Sequence, residues 1–148
     1  MDLSKMKDGD HAGLAAFNSD TGALTVKKQG KKLVLEMNEL KVALSDRDKE
    51  VTDVEQKTIE SVELKQPKVW LRIDADFRPS PTGRFGGTDM AQFYYSLDGE
   101  QWTKIGSDYK MGFDWRRFFM GQKFGIFCYA TKKVGGYVDI DGFHYERR

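Results

Sequence analysis

Apolar and polar residues alternate with a period of two along most of the chain, as in strands that turn one face to a core and the other to solvent. From Val69 to Phe77, one set is Val69, Leu71, Ile73, Ala75 and Phe77, and the opposite set is Trp70, Arg72, Asp74 and Asp76. The first set is expected in the core. Residues 90 to 97 repeat the pattern, with Ala91, Phe93, Tyr95 and Leu97 inside and Met90, Gln92, Tyr94 and Ser96 outside. Asp98-Gly99 is a turn dipeptide leading into Gln101-Trp102-Thr103-Lys104-Ile105, which predicts a tight antiparallel hairpin. Phe124, Ile126, Cys128 and Ala130 alternate with Gly125, Phe127, Tyr129 and Thr131. Gly135-Gly136 is expected to turn the chain into a neighbouring final strand from Tyr137 to Tyr145. There the apolar phase moves from Val138 and Ile140 to Phe143 and Tyr145, which predicts a bulge at Gly142 and points Asp139 and Asp141 away from the core.

Shorter runs at residues 11 to 18, 23 to 28, 31 to 37 and 58 to 64 read as further strands, divided by turn residues such as Asp20-Thr21-Gly22 and Gln29-Gly30. Asn38 to Lys57 is dense in charge with a scattered apolar set, which fits either a long hairpin extension or a short surface helix. The prolines and glycines between Arg78 and Gly87 mark a loop between core strands. About eight short strands in a chain of single-domain size make an all-β antiparallel sandwich or jelly roll.

Charge and residue chemistry narrow the function more by exclusion than by motif. The 24 lysines and arginines nearly cancel the 23 aspartates and glutamates, and no basic run is interleaved with aromatics along a helix, so nucleic acid is not an expected partner. No run approaches the ~18 apolar residues of a membrane span, and Met1-Asp-Leu-Ser-Lys5 lacks the apolar core of a signal peptide. Cys128 stands alone in an alternating apolar stretch, reads as a small buried hydrophobe, and leaves the cellular compartment open. Glycoside hydrolysis needs two carboxyl groups set across one bond, whereas the acids here lie mostly in charged loops. Asp74 and Asp76 share a strand face with Arg72, as expected of a solvated, ion-paired surface. His11 and His144 are each isolated, without a nucleophile and base in motif spacing, and no phosphate loop or paired-histidine motif occurs.

Three stretches carry a resemblance. Lys5-Met-Lys-Asp-Gly-Asp-His-Ala-Gly-Leu-Ala-Ala-Phe17, Phe93-Tyr-Tyr-Ser-Leu-Asp-Gly-Glu-Gln-Trp-Thr-Lys-Ile-Gly106 and Phe119-Met-Gly-Gln-Lys-Phe-Gly-Ile-Phe-Cys-Tyr-Ala-Thr131 resemble, in order, the C-terminal concanavalin A-like sandwich of family 43 glycoside hydrolases. That is the β-xylosidase and α-arabinofuranosidase group, and Gly135 to Tyr145 is similar to the domain's last strand. The resemblance implies a non-catalytic accessory domain whose parent, of bacterial origin, cleaves plant-wall xylosides or arabinosides. The parent's catalytic carboxylates would lie on a separate β-propeller. Relative to the family, the N-terminal strands ahead of Lys5 are expected to be missing and the Pro79 to Gly87 loop to be longer.

Three surfaces follow as candidates. If their strands share a sheet, Trp70, Arg72, Asp74, Gln92, Tyr94, Phe127 and Tyr129 form an aromatic face edged by polar groups, suited to a pyranose of a plant-wall oligosaccharide. This is the route to an alternative function, an independent carbohydrate-binding module. The run from Tyr109 to Met120, with Phe113, Trp115, Arg116, Phe118 and Phe119, has the make-up of an interface anchor, and the resemblance implies that it faces the propeller and the rim of its pocket. Asp141 and the residues after it resemble the last strand of concanavalin A-like glucanases, where an aspartate helps hold calcium; Asp139 and Asp141 are therefore read either as ligands of a structural calcium ion, with Asp8 or Asp10 as weak substitutes for the rest, or as an exposed pair that keeps the sheet edge soluble.

Overall fold

A computed structural model describes residues 1–47, 50–79, 88–113 and 121–147. Its strands are β1 (Asp10–Phe17), β2 (Thr21–Gln29), β3 (Lys32–Leu44), β4 (Val51–Leu64), β5 (Trp70–Asp76), β6 (Met90–Ser96), β7 (Thr103–Lys104), β8 (Tyr109–Lys110) and β9 (Lys123–Ala130). One five-stranded sheet has the order β4-β3-β2-β1-β9, and a four-stranded sheet has β5-β6-β7 with β8 also paired to β6. All pairings are antiparallel. The all-β expectation holds, and among the described residues no helix is long and apolar enough to cross a membrane.

The core lies between the sheets, where alternation delivers Ala12, Ala16, Leu24, Val26, Leu35 and Met37 from one side and Phe93, Ala91, Leu71, Ile73 and Tyr109 from the other. The sheets meet closely at Gly22. A Cβ there would lie 2.8 Å from the Phe93 ring and 2.8 Å from that of Tyr109. Gly22 is thus not only a turn residue: it is the second residue of β2, paired with Ala16, and its missing side chain lets the second sheet seat. The Asp98-Gly99 hairpin forms as expected, with Tyr95 opposite Thr103 and Gly99 at φ +83°. Ser96 is buried because its hydroxyl organises the turn, donating to Asp98 and accepting from the Gly99 amide, while Leu97 is carried outward.

One open alternative is decided and other expectations are corrected. Asn38 to Lys57 is the long hairpin: β3 and β4 stay paired from Leu33–Leu64 out to Leu44–Val51, with register shifts at Met37/Asn38 and Ala43/Leu44. Residues 137 to 145 do not form a strand beside β9. Only Asp139 makes a bridge, to Asp2, and Tyr137 N donates to Lys5 O, while β9 pairs with β1. The cause is local to the glycine pair. Gly136 is pressed against the buried Asp10 carboxylate, which accepts from Lys7 N, so the chain passes along the N-terminal segment. With no ladder there, the bulge expected at Gly142 has no counterpart.

Cys128 is exposed, not buried, because β9 is an edge strand whose inner side is only partly covered; Ile126 is likewise exposed. Desolvation, with a contribution from Asp10, still holds the thiol above its ordinary pKa. Val69, Leu71 and Ile73 are core residues, but Ala75 and Phe77, farther along the same alternation, lie at the exposed end of β5.

Candidate functional site

The expected aromatic face divides in two. Trp70, Arg72 and Asp74 of β5 and Gln92 and Tyr94 of β6 share the outer face of the four-stranded sheet, since Arg72 pairs with Tyr94 and Asp74 with Gln92. Phe127 and Tyr129 lie on β9 in the other sheet. Strand membership separates them, although all seven obey the same alternation.

On the four-stranded sheet, the Arg72 guanidinium carbon lies 4.4 Å from the Tyr94 ring centre and 4.5 Å from that of Trp102, so both rings hold the cation. Arg72 Nε is 3.1 Å from Asp74 Oδ1, yet this buried N–H is not directed at it and makes no hydrogen bond. Beside the clamp, Tyr94 donates to Gln92 Oε1 at 2.9 Å, and Gln92 Nε2 donates to both Asp108 oxygens at 3.1 Å. Lys104 also binds Asp108 and, with Gln92, holds that carboxyl below its ordinary pKa. Trp70 is already engaged: Lys68 sits 5.3 Å from its ring centre, and Gly99 packs against its indole. Trp102, Lys104 and Asp108 were not anticipated at this face. The signal was the hairpin register, because Lys104 opposite Tyr94 places Trp102, two residues earlier, on the same side.

The outer face of the five-stranded sheet has a different character. His11 Nδ1 and the Tyr129 hydroxyl are 2.9 Å apart, their ring centres 4.8 Å apart, and Phe127 stacks on Tyr129 at 6.0 Å. Next to them Lys27 and Glu36 form a partly buried ion pair at 2.6 Å, and Thr58 donates toward Glu36 and Asn38. Burial, then the Lys27 charge, push the His11 imidazolium pKa below its ordinary 6.5. The folded state therefore binds this proton less readily than the unfolded chain. His11 should leave stability level above about pH 7 and erode it as pH falls through 6.5 toward the lowered value. Urea unfolding at pH 8 and pH 5 checks this, and His11→Gln should flatten that part of the profile.

A third group lies at one end of the sandwich. Phe77 and Phe113 are each 54% exposed, Phe17 is 38% exposed, and Phe77 meets Phe124 edge-on at 6.3 Å. Asn18 Nδ2 donates to Gly112 O and Met111 N to Asp89 O, so the segment before Phe113 is tied to the start of β6 and to the β1–β2 turn. Trp115, Arg116, Phe118 and Phe119 lie outside the described residues.

The aspartates considered for calcium do not converge. Asp141 pairs with Lys68 at 3.2 Å, an ammonium where calcium needs oxygen, and Asp139 meets Asp2 through backbone bonds. Asp8 is taken by Gly30 N and Lys132, both at 2.7 Å, in a shallow cleft of about 350 Å³. Among the described residues, no three His, Cys, Asp or Glu side chains group as a metal site.

Residues 1–146 match the family described as the β-xylosidase C-terminal concanavalin A-like domain. Among solved structures, a bifunctional GH43-CE protein of Bacteroides eggerthii superposes with a TM-score of 0.73 at 36% identity, covering 91% of this chain and 15% of its own. A GH43 glycoside hydrolase, engineered in its active site to display endo-xylanase and exo-arabinofuranosidase activity, gives 0.75 at 31% identity, covering 91% and 26%. No curated protein matches the chain.

Proposed function

Because the chain belongs to the family of β-xylosidase C-terminal concanavalin A-like domains, we propose that it is a non-catalytic accessory domain of a family 43 glycoside hydrolase acting on xylan or arabinoxylan-type sugars, packed on the catalytic propeller. The observation that carries this reading is proportion: the same sandwich, matched over 91% of this chain, makes up 15% and 26% of the two solved GH43 proteins. A module of that share works as a part of its protein. The end of the sandwich bearing Phe17, Phe77 and Phe113 is the docking surface, because several exposed aromatics at one end supply the anchors that dominate interface energetics.

The test pairs this chain with the separately expressed catalytic domain in calorimetric titration. Docking is expected, and Phe77→Ala, Phe113→Ala, Trp115→Ala and Phe119→Ala should include at least one anchor whose loss costs ~2 kcal/mol or more of binding. The chain alone should release no nitrophenol from aryl xylosides or arabinosides. Docking that survives all four substitutions would move the interface elsewhere, and turnover by the chain alone would end the accessory reading.

A further inference from the structure

The feature that neither the fold nor docking explains is the clamp around Arg72. Seating a guanidinium against two rings restricts in advance the rotamer freedom that an exposed arginine otherwise loses on binding. Its Nε–H is buried with no hydrogen bond, although buried donors are ordinarily paired. The side chain still keeps 36% of its surface in solvent, so the rings that hold it do not seal it from a ligand. A planar, edge-on fork of donors is the shape that matches a carboxylate bidentately.

The neighbours select among anions. Asp74 and Asp108 stand on the same face against Arg72 and Lys104, which would repel a phosphate dianion but tolerate a single negative charge. Asp108 and Gln92 also accept hydrogen bonds from hydroxyls, and the half-buried Trp102 supplies a ring for the C–H face of a pyranose. We infer that the outer face of β5, β6 and β7 is a binding site for an acidic saccharide, in which Arg72 receives the carboxylate of a uronic acid while Trp102, Gln92 and Asp108 hold the sugar. The inference rests on the accessory-domain reading only for the source of that sugar, a decorated plant-wall chain.

The experiment is an NMR titration of the isotopically labelled chain with a glucuronic acid-bearing xylo-oligosaccharide and, separately, with the unsubstituted oligosaccharide of the same length. The acidic sugar should shift the Trp102 indole and Arg72 signals and bind about tenfold or more tightly than the neutral one, weakening as salt is added. Arg72→Lys keeps the charge but loses the fork and should weaken the acidic sugar about tenfold; Trp102→Phe keeps a ring in the clamp and should retain most of the binding. Melting curves of both variants confirm that they fold. Equal affinity for the two sugars, no shifts with either at millimolar concentration, or an Arg72→Lys variant that binds like the parent would each overturn the site. If Arg72→Lys instead abolishes docking to the catalytic domain without any saccharide binding, the face is a protein interface. Because docking is measured apart from sugar binding, loss of one reading leaves the other standing.

Discussion

Phe93→Ala should cost about 3–5 kcal/mol, the largest loss expected from any single truncation in this sandwich. Phe93 is 0% exposed, sits opposite Ile73 in the second sheet, and reaches across to the first, where its ring lies against Gly22. Tyr109 packs beside it with ring centres 6.4 Å apart. Removing the ring opens a cavity that two hydrogen-bonded sheets cannot close by collapse, so both the transfer and the cavity penalties apply. At ~2–4 °C per kcal/mol for a domain of this size, the melting temperature should fall by roughly 10 °C or more. Gly22→Ala alone should also destabilise, by about 1–3 kcal/mol, because its new Cβ would sit 2.8 Å from that ring. In the double variant the clash with Phe93 is gone and the Tyr109 ring, also 2.8 Å from the new Cβ, can shift into the space left behind, so the combined cost should be smaller than the sum. Thermal melts of the four proteins measure the coupling, and simple additivity would mean that the sheets do not interlock at this point.

What the sequence disclosed and what it withheld follow from where each strand lies. Alternation was legible at Val69 to Ile73, Ala91 to Tyr95 and Phe124 because those strands bury one face and wet the other, which writes a period of two into the chain. The outer halves of β3 and β4 carry no such mark, since beyond the core both faces are largely wet, and Val51 and Val54 are exposed in spite of being paired. Tyr137 to Tyr145 misled for the opposite reason. Its apolar spacing suggests a strand, but its path is set by Asp10 and Lys7 against Gly136, contacts between residues far apart in sequence. The Arg72 site shows the same division. Arg72 and Tyr94 could be placed on one face from periodicity, whereas the ring that closes the clamp, Trp102, depends on the register of a hairpin. Phe127 and Tyr129 had the right periodicity but belonged to the other sheet, because strand order is decided by pairing across the whole chain.

The partly buried pair Lys27–Glu36 should give the second large effect, and an asymmetric one. The two side chains are 17% and 11% exposed and meet at 2.6 Å on the outer face of the five-stranded sheet, one on β2 and the other on β3. Lys27→Met leaves the Glu36 carboxylate in a site with little access to water and only the Thr58 hydroxyl, 3.3 Å away, in partial compensation. That hydroxyl has one proton, and the closer acceptor at 2.8 Å is Asn38 Oδ1, itself buried with an unpartnered Nδ2. An uncompensated buried charge of this kind costs about 3–5 kcal/mol. Glu36→Leu should cost less, roughly 1–3 kcal/mol, because the flexible lysine stem can carry its ammonium to solvent while its methylenes stay against the sheet. Replacing both, as Lys27→Met with Glu36→Leu, removes the charges together and should recover most of the loss, leaving the protein near its original stability. Urea unfolding of the four proteins at pH 7 reads the cycle. Costs that simply add, or a Lys27→Met variant no worse than Glu36→Leu, would show that the pair is hydrated and that the junction of β2, β3 and β4 is held by backbone pairing and core packing alone.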